Sequence, residues 1–322
     1  MDAMSTAYSI ETKIEPEGSD QIGMQSMVSG LERVRTYVID ADSEKRNTLI
    51  NNLEQSGFTD VVGAETMAPL RDAAEAGAVD LIIIETAPGA KDAAPFLKSV
   101  RHHEIGANPF LIAIATTATA DSEHIGDLID SGFDDIVRRP HSFETLLKRI
   151  LAFVETRKKF VVTTDYIGPD RRTDGRKQEG LEIPLMDVPN PVHLLAKRRY
   201  SHADIQSLAT ETNGLLNGQK IKRHVAQVQW LIDHILPCFL YESVDDDCQD
   251  NLYRLVDVSV DLTRRIVGTD YEHTEDVIVD LVNVARRIAN DPYDANTADV
   301  SQLPSLANAI EQGFRNRRPR RF

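Results

Sequence analysis

Short apolar runs alternate with amphipathic stretches from Val34 to about Thr156. Val34–Ile39, Asp60–Gly63, Asp80–Ile84, Phe110–Ala115 and Asp135–Val137 are brief and rich in Val, Ile and Leu, which predicts strands. The runs at 80–84 and 110–115 are almost continuously apolar, as strands covered on both faces are. Between the runs, Ser43–Gln55, Met67–Ala76, Ala93–His102, Asp121–Ser131 and Phe143–Glu155 read as helices. Gly57, Gly77 and Gly132 predict helix stops, and Ser142 predicts the N-cap of the last helix. Strand and helix in regular alternation predict an α/β domain with a doubly wound five-stranded parallel sheet. Such sheets bind ligands at the carboxyl ends of their strands, near the switch in strand order. Asp40, Glu85, Thr116 and Arg139 stand at or just past those ends.

The pattern changes twice more. Residues 157–200 carry Lys158-Lys159, the run Tyr166-Ile167-Gly168-Pro169-Asp170-Arg171-Arg172, and then Pro184, Pro189 and Pro191, which predicts an irregular Pro/Arg-rich linker or a docking strip for acidic parts of the chain. Residues 201–292 read as helices only, an all-α bundle. Ser201 is the expected N-cap of a first helix ending at Gly218, and a stripe from Ile221 to Ile235 is expected to end or kink at Pro237. Two further stripes follow, Leu252–Ile266 and Val277–Ile288, and a short helix is expected from Pro304 to Phe314 within residues 293–322. Trp230 and Tyr253 fall in these stripes and are expected in the core. Residues 1–32 lack apolar periodicity and are acidic, which predicts a mobile leader.

The net charge of -15 argues against a general nucleic-acid or membrane-surface protein. No apolar run approaches the roughly 20 residues that span a bilayer, and the acidic N-terminus is unlike a signal peptide. Cys238 and Cys248 lack metal-ligand spacing and read as free thiols of a reducing compartment, the cytoplasm. The Arg-rich end, Arg315 to Arg321, either binds nucleic acid or an anionic surface, or is a solubilising tail that can fold back on the acidic body.

Four local patterns, taken in order, give residues 33–156 a family resemblance. Tyr37-Val38-Ile39-Asp40-Ala41-Asp42 is an acidic strand end, and Asp80 to Glu85 followed by Pro88-Gly89 is an apolar strand ending in a carboxylate. Ala115-Thr116-Thr117 ends the next strand in hydroxyls, and Ser131-Gly132-Phe133-Asp134-Asp135 runs into Arg139-Pro140. This region resembles the receiver domain of response regulators, a flavodoxin-like fold. The resemblance implies an aspartate that accepts a phosphoryl group, Mg²⁺ held by it and an acidic pair, and a lysine and a hydroxyl that grip the phosphoryl oxygens.

The chain departs from that pattern at four places. Glu85 stands at the phosphoacceptor position and carries its carboxylate about 1 Å further out, a large displacement against the tolerance of a Mg²⁺ shell. Ala41 interrupts the acidic pair, leaving Asp40 as the better-placed member and Asp42 as the second. Arg139, before Pro140, replaces the lysine. Ile136 occupies the place of the frequent aromatic switch residue. Two readings follow: a built-in Glu85–Arg139 ion pair, also satisfied by Thr116, that holds one state without phosphate, or a solvated carboxylate in a decayed pocket.

The expectation is a degenerate receiver joined to a helical output or dimerisation domain. It acts as a non-enzymatic adaptor of a two-component-type system, with no catalytic residue, no structural metal and at most weak Mg²⁺ binding. Its expected partners are signalling proteins such as a histidine kinase or another regulator, with a homodimer through the helices as an option. The alternatives are a true phosphoacceptor, on Glu85 or Asp40, and a nucleic-acid-binding regulator using the helices and the Arg-rich tail. His224 beside Lys222 and Arg223 raises histidine phosphotransfer, against an exposed or partly packed helix histidine. His102-His103 and His273 lack metal companions, and Asp245-Asp246-Asp247 reads as a helix N-terminus.

Overall fold

The computed structural model describes residues 30–87, 92–172, 184–241 and 243–316. The leader up to residue 29, Pro88-Gly89 and the arginines beyond Asn316 lie outside the described residues. Leu31, expected in the leader, is buried and packs with Val192, Leu195 and Ala196.

Five parallel strands form the first sheet: β1 Thr36–Ile39, β2 Val61–Ala64, β3 Leu81–Thr86, β4 Ile112–Thr117 and β5 Asp135–Arg138. Their order, β2-β1-β3-β4-β5, is the flavodoxin-like arrangement, with the switch point between β1 and β3. The crossovers are α1 Ser43–Gln55, α2 Ala68–Glu75, α3 Ala93–Arg101 and α4 Ser122–Asp130, and α5 Phe143–Glu155 follows β5. Side chains alternate across β3: Leu81 and Ile83 join one core, with Val38, Ile114 and Ile150, while Ile82 and Ile84 join the other, with Phe96, Leu97 and Phe133. Gly57, Gly77 and Gly132 all have positive φ, and Ser142 caps α5 by accepting from the Thr145 amide.

Among the described residues of the segment expected as an irregular linker, a small sheet and a helix form, and most of their apolar side chains are buried. β6 Phe160–Val162 pairs antiparallel with β7 Ile167–Pro169 and with β8 Leu185–Met186, and α6 Pro191–Ala196 follows. Phe160, Val162, Ile167 and Met186 pack with Phe110 before β4 and with Ala209 and Leu216 of the next helix. Each strand is only two or three residues long, and the prolines around them masked the Phe-Val-Val and Tyr-Ile signals.

Arginines fasten this small sheet to the amino-terminal edge of the first. Asp134 Oδ2 accepts from Arg101 Nη2 (2.8 Å), Arg157 Nη2 (3.0 Å) and the Ala113 amide (2.9 Å), and Oδ1 accepts from Arg157 Nε (2.8 Å). Arg101 is fully buried and also donates to the carbonyls of Gly132, Pro109 and Leu111. Burial lowers its guanidinium to about 10, with Asp134 opposing. Both guanidinium groups lie over the Phe160 ring, at 5.3 Å and 4.6 Å from its centroid. Arg171 reaches the Phe133 carbonyl (2.6 Å), and a Cβ on Gly132 would stand 2.6 Å from the Ile167 carbonyl oxygen.

The remaining helices are α7 His202–Leu240, α8 Asp246–Ile266, α9 Glu275–Asn290 and α10 Thr297–Arg315. They close a four-helix bundle around Val228, Leu231, Ile232, Leu255, Leu262, Leu281, Ile288 and Ile310. Ser201 and Asp204 form a capping box at the start of α7, and Asp245 caps α8 through the Cys248 amide. Several expectations change here. α7 runs unbroken through Gly218, since one helical glycine costs only about 1 kcal/mol. Pro237 lies inside the last turn, and the helix ends shortly beyond it, at Leu240. The last helix begins at Thr297, with Asn296 as its cap and Pro304 inside it. Trp230 and Tyr253 are exposed, because the buried side of α7 is the Val228–Ile232–Ile235 face and that of α8 is the Leu252–Leu255–Leu262 face. His224 is buried, with Nε2 2.6 Å from Asp261 Oδ2.

α7 also ties the two halves together. Lys220, fully buried, donates from Nζ to the Thr163 carbonyl (3.0 Å) and to that of Thr164, and burial lowers it to about 7. At the start of α7, His202 Nε2 lies 3.1 Å from Asp80, which is also held by Arg35.

Candidate functional site

Four strand ends converge at the carboxyl-terminal edge of the parallel sheet. Register sets Glu85 beside Thr116, since β3 and β4 pair at those positions. Arg139 follows β5 and is anchored by its amide to the Thr117 carbonyl (2.7 Å). Asp40 follows β1, at the switch point. The four sequence-predicted residues meet there.

Arg139 lies between the two carboxylates. Its Nη2 donates to Asp40 Oδ2 at 3.0 Å, and its Nε lies 3.1 Å from Glu85 Oε2. The same Oε2 accepts from the Thr116 hydroxyl at 2.7 Å. Asp40 is nearly buried; its Oδ1 accepts from the Asp42 amide (2.9 Å), and its carbonyl accepts from Arg46 Nη1 (2.5 Å). The Glu85 and Arg139 side chains each keep 21% of their surface exposed. Burial pushes the Glu85 carboxyl above its ordinary value; Thr116 and Arg139 oppose the shift, and Asp40 reinforces it. For this carboxyl, removal from water outweighs what Thr116 and Arg139 return.

Asp42 plays a different part. Its side chain caps α1, accepting from the Glu44 and Lys45 amides, and pairs with Lys45 Nζ at 2.9 Å. Those contacts hold its carboxyl below the usual range, the Lys45 hydrogen bond being the main cause. Ile136 pairs with Ala115 across β5 and packs at the edge of the Ile84–Phe133 core. Pro140 is exposed beyond Arg139. A further contact behind the rim was not foreseen: the Thr86 hydroxyl donates to the Thr116 carbonyl (3.3 Å) and lies 3.2 Å from His124 Nε2. Thr86, a hydroxyl ending an apolar strand, was its only sequence signal.

The rim does not fit the Mg²⁺ that the receiver resemblance implies. Three oxygen donors would be needed from Asp40, its acidic neighbour and the acceptor. Here Asp42 is spent as a helix cap, and a guanidinium lies between the other two. Among the described residues no group of three or more His, Cys, Asp or Glu side chains is placed to hold a metal ion. A cleft of about 980 Å³ opens elsewhere, between His102–Glu104, Gly214 and Gly218 of α7, and Arg264-Arg265; it contains none of the sequence-predicted site residues. Among the described residues no helix is long and apolar enough to cross a membrane.

No family model matches the chain, and no curated protein matches it. Solved structures do. An orphan response regulator of Helicobacter pylori is 20% identical over 38% of this chain and 97% of its own, with a TM-score of 0.32. A Burkholderia pseudomallei protein described as pilus assembly-related is 20% identical over 38% of this chain and 92% of its own, with a TM-score of 0.33. A response regulator from Thermotoga maritima is 21% identical over 36% of this chain and 94% of its own, with a TM-score of 0.30. The receiver-like fold itself is read from the strand order β2-β1-β3-β4-β5.

Proposed function

We propose that this chain is a non-enzymatic signalling adaptor whose receiver-like domain docks partner proteins in one state, set by Arg139 and independent of phosphate. One observation supports this above the rest: the Arg139 guanidinium bridges Asp40 and Glu85 where a phosphoryl group and its metal would stand. An arginine fork between two carboxylates gives geometric definition that a solvated carboxylate lacks. Desolvation of Glu85 opposes the pairing, and the role of the pair in this reading is conformational. It keeps the Thr116 hydroxyl turned toward Glu85 and so holds the end of β4 in one arrangement. The bundle is the output or dimerisation element, and the partners are signalling proteins of a two-component-type circuit.

Intact-mass measurement after incubation with acetyl phosphate and Mg²⁺ tests this. The expected result is no adduct on the natural chain, and one phosphoryl group on a variant carrying Glu85→Asp, Ala41→Asp and Arg139→Lys. An adduct on the natural chain overturns the proposal and favours a true phosphoacceptor.

A further inference from the structure

Trp230 is the chain's one tryptophan, and it stands on the outside of α7. It is not alone there. Leu215, Lys222, Ala226, Asp233, Pro237 and Leu240 are also exposed. At 100° per residue these positions fall within a stripe roughly 80° wide. The bundle core takes the other side of the helix, through Ile221, Val228, Leu231, Ile232 and Ile235. The outer stripe is thus a straight, largely apolar face, with Leu215 64%, Trp230 51% and Leu240 76% exposed.

The stripe is complementary to its own reverse. Laid antiparallel on itself about a point near residue 228, it brings Leu215 against Leu240 and Lys222 against Asp233, each pair occurring twice. Trp230 then falls beside Ala226, which is small enough to leave room for an indole. An isologous two-fold interface makes each contact twice, residue i with j and j with i, and here the exchanged charges are opposite. Trp230 is also ordered in advance: its ring stacks on His234 at 3.8 Å between centroids, and His234 Nδ1 lies 2.7 Å from the Trp230 carbonyl oxygen. A large aromatic already fixed in one rotamer loses little entropy on association.

We propose that the outer face of α7 is a homodimer interface, occupied by the same face of a second copy running antiparallel. Trp230 is its central anchor, and Lys222–Asp233 pairs flank it on both sides. The proposal does not depend on the Asp40–Glu85–Arg139 rim, because none of these residues touches it.

Light scattering across a concentration series, read together with tryptophan emission, tests it. The mass should approach twice 35.9 kDa, and the emission should move to the blue as concentration rises. Since all indole signal comes from Trp230, that shift reports burial at this site. Trp230→Glu should weaken association at least about thirtyfold, as loss of a central aromatic anchor does. Lys222→Asp should weaken it by about tenfold through like-charge contact with Asp233. The double variant Lys222→Asp, Asp233→Lys should restore it. All three positions are exposed, and far-UV circular dichroism checks that each variant is folded. The proposal is overturned by a natural chain that stays monomeric, by a dimer indifferent to Trp230→Glu, or by a double reversal that fails to restore pairing. Indifference to Trp230→Glu would point to another face. Failure of the double reversal would point to a parallel pairing or a different protein on this stripe.

Discussion

The parallel sheet carries an arginine–carboxylate cluster at each end, and the two are built on opposite terms. At the amino-terminal edge Asp134 accepts four hydrogen bonds, and Arg101, wholly out of water, spends its donors on three carbonyls and a carboxylate. At the carboxyl-terminal edge one arginine spans two carboxylates, Glu85 remains part-exposed, and its carboxyl is pushed up because desolvation outweighs pairing. The first cluster is saturated and serves as a joint between the two sheets. The second is less completely bonded and part-exposed. Charge and residue type do not separate the two roles; the completeness of the hydrogen bonding does.

Removing the acid at each edge should break the comparison most sharply. Asp134→Ala leaves Arg101 and Arg157 buried without their counter-charge and should cost about 3–5 kcal/mol of unfolding free energy in a urea titration. A loss below about 1 kcal/mol would show that the joint is ornamental. Gly132→Ala probes the same edge through the backbone. At φ +87°, with the Ile167 carbonyl oxygen 2.6 Å from a Cβ, it should cost about 2 kcal/mol and loosen the small sheet, read as faster proteolysis after Lys158-Lys159. Glu85→Gln should do least, under about 1 kcal/mol at pH 7, and in the stabilising direction. The sign follows from the raised carboxyl. A group whose folded value is raised contributes stability below its unfolded value, and that contribution is lost as pH rises through the folded one. At pH 7 the natural chain lacks that contribution while the glutamine variant has no charge to bury, and the two should converge below about pH 4. A destabilised Glu85→Gln protein at pH 7 would mean that the pair supports the fold.

The five strands and the helices at 43–55 and 143–155 were legible because uninterrupted Ile and Val runs, a serine cap and glycine stops all act locally. The rim was legible in outline, since strand ends in such a sheet share one edge, so Asp40, Glu85, Thr116 and Arg139 had to be neighbours. That Asp42 would turn to its own helix was equally present in Asp42-Ser43, an N-cap signal that competes with any metal role. The small sheet was not legible. β8 joins β6 from more than 20 residues away, and no single strand is long enough to show a period of two. Periodicity also states that a helix has an apolar face but not which apolar face wins. α7 has two, and only assembly with α8, α9 and α10 decides that Val228 goes in and Trp230 stays out.

Because α7 passes Gly218 without a break, it is a single rod of about 58 Å. One end is pinned near Asp80 through His202, its middle to the Thr163–Thr164 turn through Lys220, and its far half forms one wall of the bundle. Such a rod is a lever with its fulcrum at Lys220. About that point, a tilt of about 5° carries the Leu240 end, roughly 30 Å away, through roughly 2.6 Å, and the His202 end by a similar distance the other way.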